Sequence, residues 1–522
     1  MKKIIILILI AVFSGTVFNS CSDEKMEEYY SNPDLRTTAK IEYLFTNLQT
    51  QNANYVWTYW DMGTMILQHL TVYAQTGGYV ATNDRFTQNV SYIGDRWGKY
   101  YFTLGHYREM EKLLGDVDEI NKYGYEMILN LGKAITIHET QKATDLWGDL
   151  PYSEAGFARN ADGQVLFPAY DSQESIYVSM LADLKSIADF LNTYEASSYD
   201  QKSSFDNILK KQDFMFGGDI AKWKKFVNSL RLRVAIRMSN AKEAEAKTAI
   251  QEILNNPASY PVIESNTDNA FIVSSGQLLA NTGRHEQGVK GALTYQSGKN
   301  LAPGLMVSIM ENAGDPRLFV YFGRNKEGNM VAMDPTMSQS EQEALLSADL
   351  VSRFDTCTLF DNDFLPNVLI SAAEVAFTKA EAFHRWGGGD AKAAYEEGIK
   401  LSMEYWYGIQ TGTGYAETMP SASEIDAVIA SAEYKFDSNP LKQIATQKWI
   451  DFGLLNTYEA WAEQRRNDFP VFADETAGTT GEFQKRPFRL TYPSTEISYN
   501  NANYEKVRDK DKPTVKVWWD VK

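Results

Sequence analysis

The sequence predicts a mostly α fold, in which paired helices form a scaffold and an irregular, loop-rich region carrying short strands is mounted on it. Three observations lead there. Apolar residues recur at helical spacing through most of 37–256 and 367–466. Asp and Gly punctuate those stretches at the places where helices start and stop. Residues 257–366 are rich in Gly, Asn, Ser and Thr and lose the periodicity. The chain has 522 residues, 44% hydrophobic and 23% charged, an ordinary globular composition.

The amino terminus stands apart from this scaffold. Met1-Lys2-Lys3 precedes an apolar run at 4–13, then small and polar residues up to Ser20. A membrane span needs about 20 apolar residues, so 1–20 reads as a secretory signal. Cys21 follows directly, and the arrangement resembles a bacterial lipoprotein signal in which that cysteine is acylated. Two or three acyl chains hold firmly where one holds marginally. The acidic residues Asp23, Glu24, Glu27 and Glu28 resemble the surface-export signal of Bacteroidetes lipoproteins. Residues 21–36 read as a tether, and 37–522 as one domain.

Helices are predicted over about 38–48 and 62–75, from Trp97 onward, and from a cap at Asp118 to the turn at 145–152. Proline at 151 forbids continuation there. Asp171 precedes another helix, Asp219 caps one over 220–238, and a partner covers about 241–254. A short helix at about 303–311 interrupts the irregular region. A stripe of Leu369, Ala372, Ala373, Ala376, Ala380 and Phe383 opens the second helical stretch. Gly387-Gly388-Gly389 stops that helix, and Asp390 starts a partner carrying Ala394, Gly398 and Leu401. Small residues on facing stripes allow close approach, and the pair is near the length of a tetratricopeptide unit. Residues 441–466 read as one long helix, apolar nearly all round and therefore buried. The tail at about 485–522 reads as strand-like and aromatic.

Charge and cysteine content narrow the function. The net charge is −17, and losing Lys2 and Lys3 with the signal leaves 49 basic residues against 68 acidic ones, or −19. A nucleic-acid partner demands a basic face, so none is expected. Cys357 would be the only cysteine besides Cys21, which excludes an internal disulfide and a cysteine metal site. It reads as a small buried hydrophobe. Aromatics are abundant, at 30 Tyr, 26 Phe and 11 Trp. Their faces stack on sugar rings and also fill interfaces and cores.

Motifs for catalysis are weak. His69, His106, His138, His285 and His384 show no zinc-helix spacing, and neither a nucleophile elbow nor a phosphate loop is present. Carboxylate pairs exist at Asp145 with Asp149 and at Glu459 with Glu463, but any acidic protein offers such pairs, and turn and capping chemistry is expected for the first pair over glycoside hydrolysis. Asp361 and Asp363 lack a calcium-loop spacing. No metal and no cofactor is expected. Arg231, Arg233 and Arg237 lie within two turns of one helix, and ion pairing with acidic neighbours is expected there over an anion site.

Six stretches in order carry a resemblance. They are Asp145-Leu-Trp-Gly-Asp-Leu-Pro-Tyr-Ser-Glu-Ala155; Lys222-Trp-Lys-Lys-Phe-Val-Asn-Ser-Leu-Arg-Leu-Arg233; Asp315-Pro-Arg-Leu318; Ser371-Ala-Ala-Glu-Val375 with Lys379-Ala-Glu-Ala382; Lys448-Trp-Ile-Asp451 with Trp461-Ala-Glu-Gln-Arg-Arg466; and Arg489-Leu-Thr-Tyr-Pro-Ser-Thr-Glu496 with Asn500 and Asn503. Together they resemble the SusD/RagB family of outer-membrane nutrient-binding lipoproteins, closest to the subgroup called starch-binding associating with outer membrane. The resemblance implies tetratricopeptide-like helix pairs and a variable loop face. It implies non-catalytic capture of a glycan or oligosaccharide at the cell surface. It also implies a SusC-like TonB-dependent transporter over which the lipoprotein sits as a lid. A peptide-binding lid and a surface glycoside hydrolase are the alternatives.

The motifs are scaffold motifs, so the ligand residues are sought in the loops. The resemblance places them before the Trp97 helix, at Tyr79, Arg85, Phe86 and Tyr92, with Arg284, His285 and Tyr295 in the irregular middle. The aromatics would stack, and Arg and His would bind hydroxyls. Trp97 and Tyr101 share helical spacing with Leu104 and are expected in the core.

Overall fold

The computed structural model describes residues 39–52, 90–157, 167–273, 300–472 and 486–522, apart from positions 335, 363, 413 and 438. The chain is mostly helical. In order, α1 is Ile41–Asn52, α2 Val90–Leu114 and α3 Glu119–Trp147; β1 is Leu150–Pro151 and β2 Tyr170–Asp171. Then come α4 (Gln173–Ala196), α5 (Lys202–Gln212), α6 (Ile220–Met238) and α7 (Glu243–Leu254). The middle holds β3 (Ala270–Val273), α8 (Gly304–Ala313), α9 (Arg317–Tyr321), α10 (Gln339–Ser347) and β4 (Pro366–Ile370). Helices resume as α11 (Ala372–Trp386), α12 (Ala391–Gly408), α13 (Ala422–Ile429), α14 (Pro440–Phe452) and α15 (Thr457–Asn467), followed by α16 (Ser494–Tyr499) and α17 (Asn501–Tyr504).

Short polar side chains set the helix starts by accepting from backbone N–H groups that have no partner inside the helix. Asp118 accepts from Asn121 N, Asp219 from Lys222 N and Asp390 from Ala393 N. All three were legible as caps. Neighbouring helices then pack as pairs: α2 on α3, α4 on α6, α6 on α7, α11 on α12, and α14 on α15. The small-residue stripe does what its composition predicts. A Cβ on Gly398 would lie 2.5 Å from the Phe377 ring, so α11 and α12 approach as closely as a bare backbone allows.

A single apolar cluster runs from Ile41 to Trp519 and joins helices from both ends of the chain. The irregular middle is tied to it by the antiparallel β3–β4 pair, in register Phe271 to Val368 and Val273 to Pro366. Isolated bridges Leu301 to Arg353 and Phe322 to Phe354 hold its loops.

Three expectations are corrected. Residues 441–466 form two helices, because the chain turns at Gly453 (φ 22°), where a Cβ would fall 2.7 Å from Ile450 O. The burial is nonetheless nearly all round, charged residues of α15 included, because α14 packs against both α15 and α11. The tail is not strand-like: it forms α16, α17 and a 3-10 turn at Arg508–Lys510. Pro493 and Pro513 cannot donate to a ladder, and the tail's backbone is satisfied elsewhere, with Leu490 N donating to Leu146 O at 2.7 Å. Finally, Leu369 belongs to β4, and Ser371 caps α11 behind it.

Candidate ligand-binding face and its scaffold

Six of the seven ligand candidates, Tyr79, Arg85, Phe86, Arg284, His285 and Tyr295, lie outside the described residues, as does Cys21. The seventh is corrected. Tyr92 is fully buried, and its hydroxyl shares a 2.6 Å hydrogen bond with that of Tyr458. Helix α2 starts at Val90, seven residues before Trp97, so Tyr92 and Arg96 stand one turn apart on its buried face. Arg96 Nε also donates to Tyr458, and its Nη2 to Glu139 at 3.1 Å. Trp97 is buried as expected, edge-on to Trp147 at 5.2 Å and to Tyr492 at 5.7 Å.

The first and last motifs of the sequence meet in space. Gly148 closes α3 at φ 75°, a conformation suited to glycine, and turns the chain so that the 145–152 carbonyls face the tail. Arg489 Nη2 donates to Trp147 O, Trp147 Nε1 donates to Thr491 O at 2.8 Å, and Tyr492 Oη donates to Asp149 O at 2.7 Å. Asn500 and Asn503 donate to Pro168 and Phe167 carbonyls at 2.9 Å. These residues bind chain to chain.

The three arginines of α6 divide in the same spirit. Arg231 pairs with Glu252 at 2.7 Å. Arg233 binds Glu374 through Nε at 2.5 Å and Nη2 at 2.6 Å. Arg237 binds Asp145 at 2.7 Å and Glu463 at 3.3 Å, and also Glu459. Arg466 completes the network, reaching Glu381 at 2.6 Å and Glu463 at 2.8 Å. Charged groups with no water must be paired. Burial raises the carboxyls of Glu459 and Glu381, but the guanidiniums beside them outweigh it and hold each at about 2. Burial, then the Lys142 charge, lowers His138 to about 4 and keeps it neutral.

Both carboxylate pairs noted in the sequence fall inside this interior. Glu459 and Glu463 are gripped by arginines, and Asp145 also accepts from Tyr177 and Trp519. Asp149 accepts from Gln173 N at 2.9 Å and pairs with Lys510 at 2.6 Å, which is capping and turn chemistry. Cys357 is buried in a π-helical turn at Thr356–Phe360, its Sγ 3.4 Å from Gly412 O. Among the described residues no group of His, Cys, Asp and Glu is disposed to hold a metal.

The surface aromatics were not singled out from sequence. Phe157 (41% exposed), Phe167 (61%), Phe364 (62%) and Tyr415 (75%) stand out of loops. Their only signal was an aromatic flanked by Gly, Pro or Asp without periodicity.

This fold, with its charged helical interior and aromatic loop surface, defines a class of helical-pair scaffold. A family model described as "Starch-binding associating with outer membrane" (SusD-like) matches residues 33–493, and the chain belongs to that family. Membership makes it a carbohydrate-binding type of protein associated with the outer membrane. No described helix is long and apolar enough to cross a membrane. Among solved structures, a chitin-binding protein is 24% identical with a TM-score of 0.72, covering 92% of this chain and 99% of its own. A Bacteroidetes SusD-like protein is 21% identical (TM-score 0.73; 93% and 100% covered). A SusD homologue of Bacteroides fragilis is also 21% identical (TM-score 0.72; 92% and 100%). At these identities the likeness establishes the fold. No curated protein matches the chain.

Proposed function

We propose that this protein is a non-catalytic cell-surface lipoprotein. Anchored through Cys21, it captures a glycan and delivers it to a SusC-like TonB-dependent barrel, over which it sits as a lid. The match to the starch-binding family across 33–493 carries the reading. The net charge of −17 suits an uncharged ligand, and the similar chitin-binding structure supports a saccharide. Ligand binding favours the closed lid to the extent that the ligand binds that state more tightly. The residues assigned to contact the captured chain are Tyr79, Arg85 and Phe86, with Arg284, His285 and Tyr295 as lesser candidates.

The test is purification of the lipidated protein from its own outer membrane in mild detergent, with mass spectrometry of Cys21. Copurification of a large barrel protein and an acylated Cys21 are expected. Recovery of the lipoprotein alone, with crosslinking before extraction to trap the complex, would contradict the lid.

A further inference from the structure

A groove of about 360 Å³ opens on the far side of the motif junction, between α2 and the 151–157 and 168 segments. Its volume falls in the range of about 300–1,000 Å³ typical of small-molecule sites. It is lined by Trp97, Tyr101, Gly105, Phe157, Pro168 and Glu496, among others. We infer that this groove is a second saccharide subsite, holding one pyranose ring of a neutral glycan; the inference rests on the glycan-binding reading above.

The chemistry of the walls selects the ligand. Phe157 and Pro168 offer apolar surface suited to the C–H face of a sugar ring, while Trp97 and Tyr101 line the groove as buried and half-buried rings. Two further aromatics, Phe102 (47% exposed) and Phe167 (61%), are exposed and each adjacent in sequence to a lining residue. Glu496 supplies the polar contact. Its Oε1 accepts from Tyr170 Oη at 2.9 Å and Asn500 Nδ2 at 2.8 Å, which fixes the carboxylate. Its Oε2 has no hydrogen-bond donor among the described residues and is open to accept from a ligand O–H. Charge narrows the choice. The Glu496 carboxylate disfavours an anion, while the nearby Arg108 guanidinium, stacked 4.8 Å from the centre of the Phe157 ring, is already paired with Glu111.

The groove is preformed. Arg108 donates to Ala155 O and Tyr152 O, both at 3.3 Å, and pairs with Glu111 at 2.7 Å, fastening the 152–157 loop to α2. Tyr101 Oη donates to Pro151 O at 2.9 Å on the same wall. The floor is bare because two glycines face each other. A Cβ on Gly105 would meet nothing nearer than Gly156 O at 4.0 Å, whereas one on Gly156 (φ 87°) would strike Arg108 at 2.7 Å. A side chain at 105 therefore fits the backbone and occupies the groove. Glycine within a helix is also less stable than leucine by up to about 1 kcal/mol, so Gly105→Leu keeps α2.

The experiment is hydrogen–deuterium exchange of the whole mature protein with maltoheptaose and with N-acetylchitohexaose, alongside calorimetric titration. Wild type is expected to show saccharide-dependent protection of 151–157 and 494–503. Gly105→Leu is expected to lose that protection with an unchanged melting curve, and Phe157→Ala to weaken it at least fivefold. Tyr79→Ala with Phe86→Ala is expected to retain it. Protection that persists in both Gly105→Leu and Phe157→Ala overturns the groove. So does saturable binding by wild type without protection of these segments, which leaves the glycan reading standing. Binding of neither saccharide overturns that reading and the groove with it.

Discussion

The interior of the helical scaffold and its aromatic surface use opposite chemistry. Inside, Arg233, Arg237 and Arg466 are each bound to carboxylates that are themselves buried, and neighbouring guanidinium and carboxylate groups share partners. Outside, Phe167, Phe364 and Tyr415 stand in solvent with few constraints. The interior specifies how helices from distant parts of the sequence meet: Asp145 comes from α3, Arg237 from α6, and Glu459 and Glu463 from α15. The surface specifies nothing about the fold, so it is free to differ with the ligand. Motifs that carry the family resemblance are therefore poor guides to what the protein binds.

The largest expected effect breaks the interior. Arg466→Ala leaves Glu381 and Glu463 buried with a partner missing, and should cost about 3–5 kcal/mol of stability, read by denaturant unfolding. A loss below about 1 kcal/mol would mean that the network is not what joins the helices.

Acid should reach the same interior. Glu381 and Glu459 are held at about 2 against 4.5 for a free carboxyl. The stability they contribute is complete above pH 4.5 and is lost as pH falls toward 2. His138, lowered from 6.5 to about 4, contributes stability above pH 6.5 that is lost as pH falls through 4. Asp451 works the other way: burial raises it from 3.8 to about 6, so its contribution is complete below 3.8 and is lost as pH rises through 6. Melting temperature should therefore fall from pH 6 to pH 3, with His138→Gln flattening the upper part of the curve. A melting temperature that rises over that span would show Asp451 dominating.

Two glycines sharpen the contrast. Gly398→Leu forces a side chain into the Phe377 ring and should cost at least about 1–3 kcal/mol. Gly105→Leu faces open groove and should cost nothing measurable in the same melts. Between these two, Tyr92→Phe removes the buried hydrogen bond to Tyr458, worth about 0.5–1.5 kcal/mol. It should leave saccharide affinity unchanged, since Tyr92 faces the core.

The sequence made the helical scaffold readable because capping and periodicity are local. Asp118, Asp219 and Asp390 each sit at the helix start they announced. What it hid was set by contacts between distant residues. The turn at Gly453 was invisible because α14 and α15 are both buried on nearly every side, and their residues run on as one helical pattern. The tail's aromatics mimicked strand alternation, although its backbone bonds with the 145–152 turn. Tyr92 looked like a loop residue because Gly, Asn and Thr precede it, yet α2 begins before it. Glu496 ends a recognised motif, but its place in the groove depends on Tyr170 and Asn500 folding beside it.

The central claim is that this chain binds saccharide without transforming it. The most direct measurement is calorimetric titration of maltoheptaose and N-acetylchitohexaose into the mature protein, followed by chromatography of the recovered sugar. Saturable binding with intact saccharide is the predicted result. Shortened products that disappear on replacing one exposed carboxylate, or no binding by either saccharide, would contradict it.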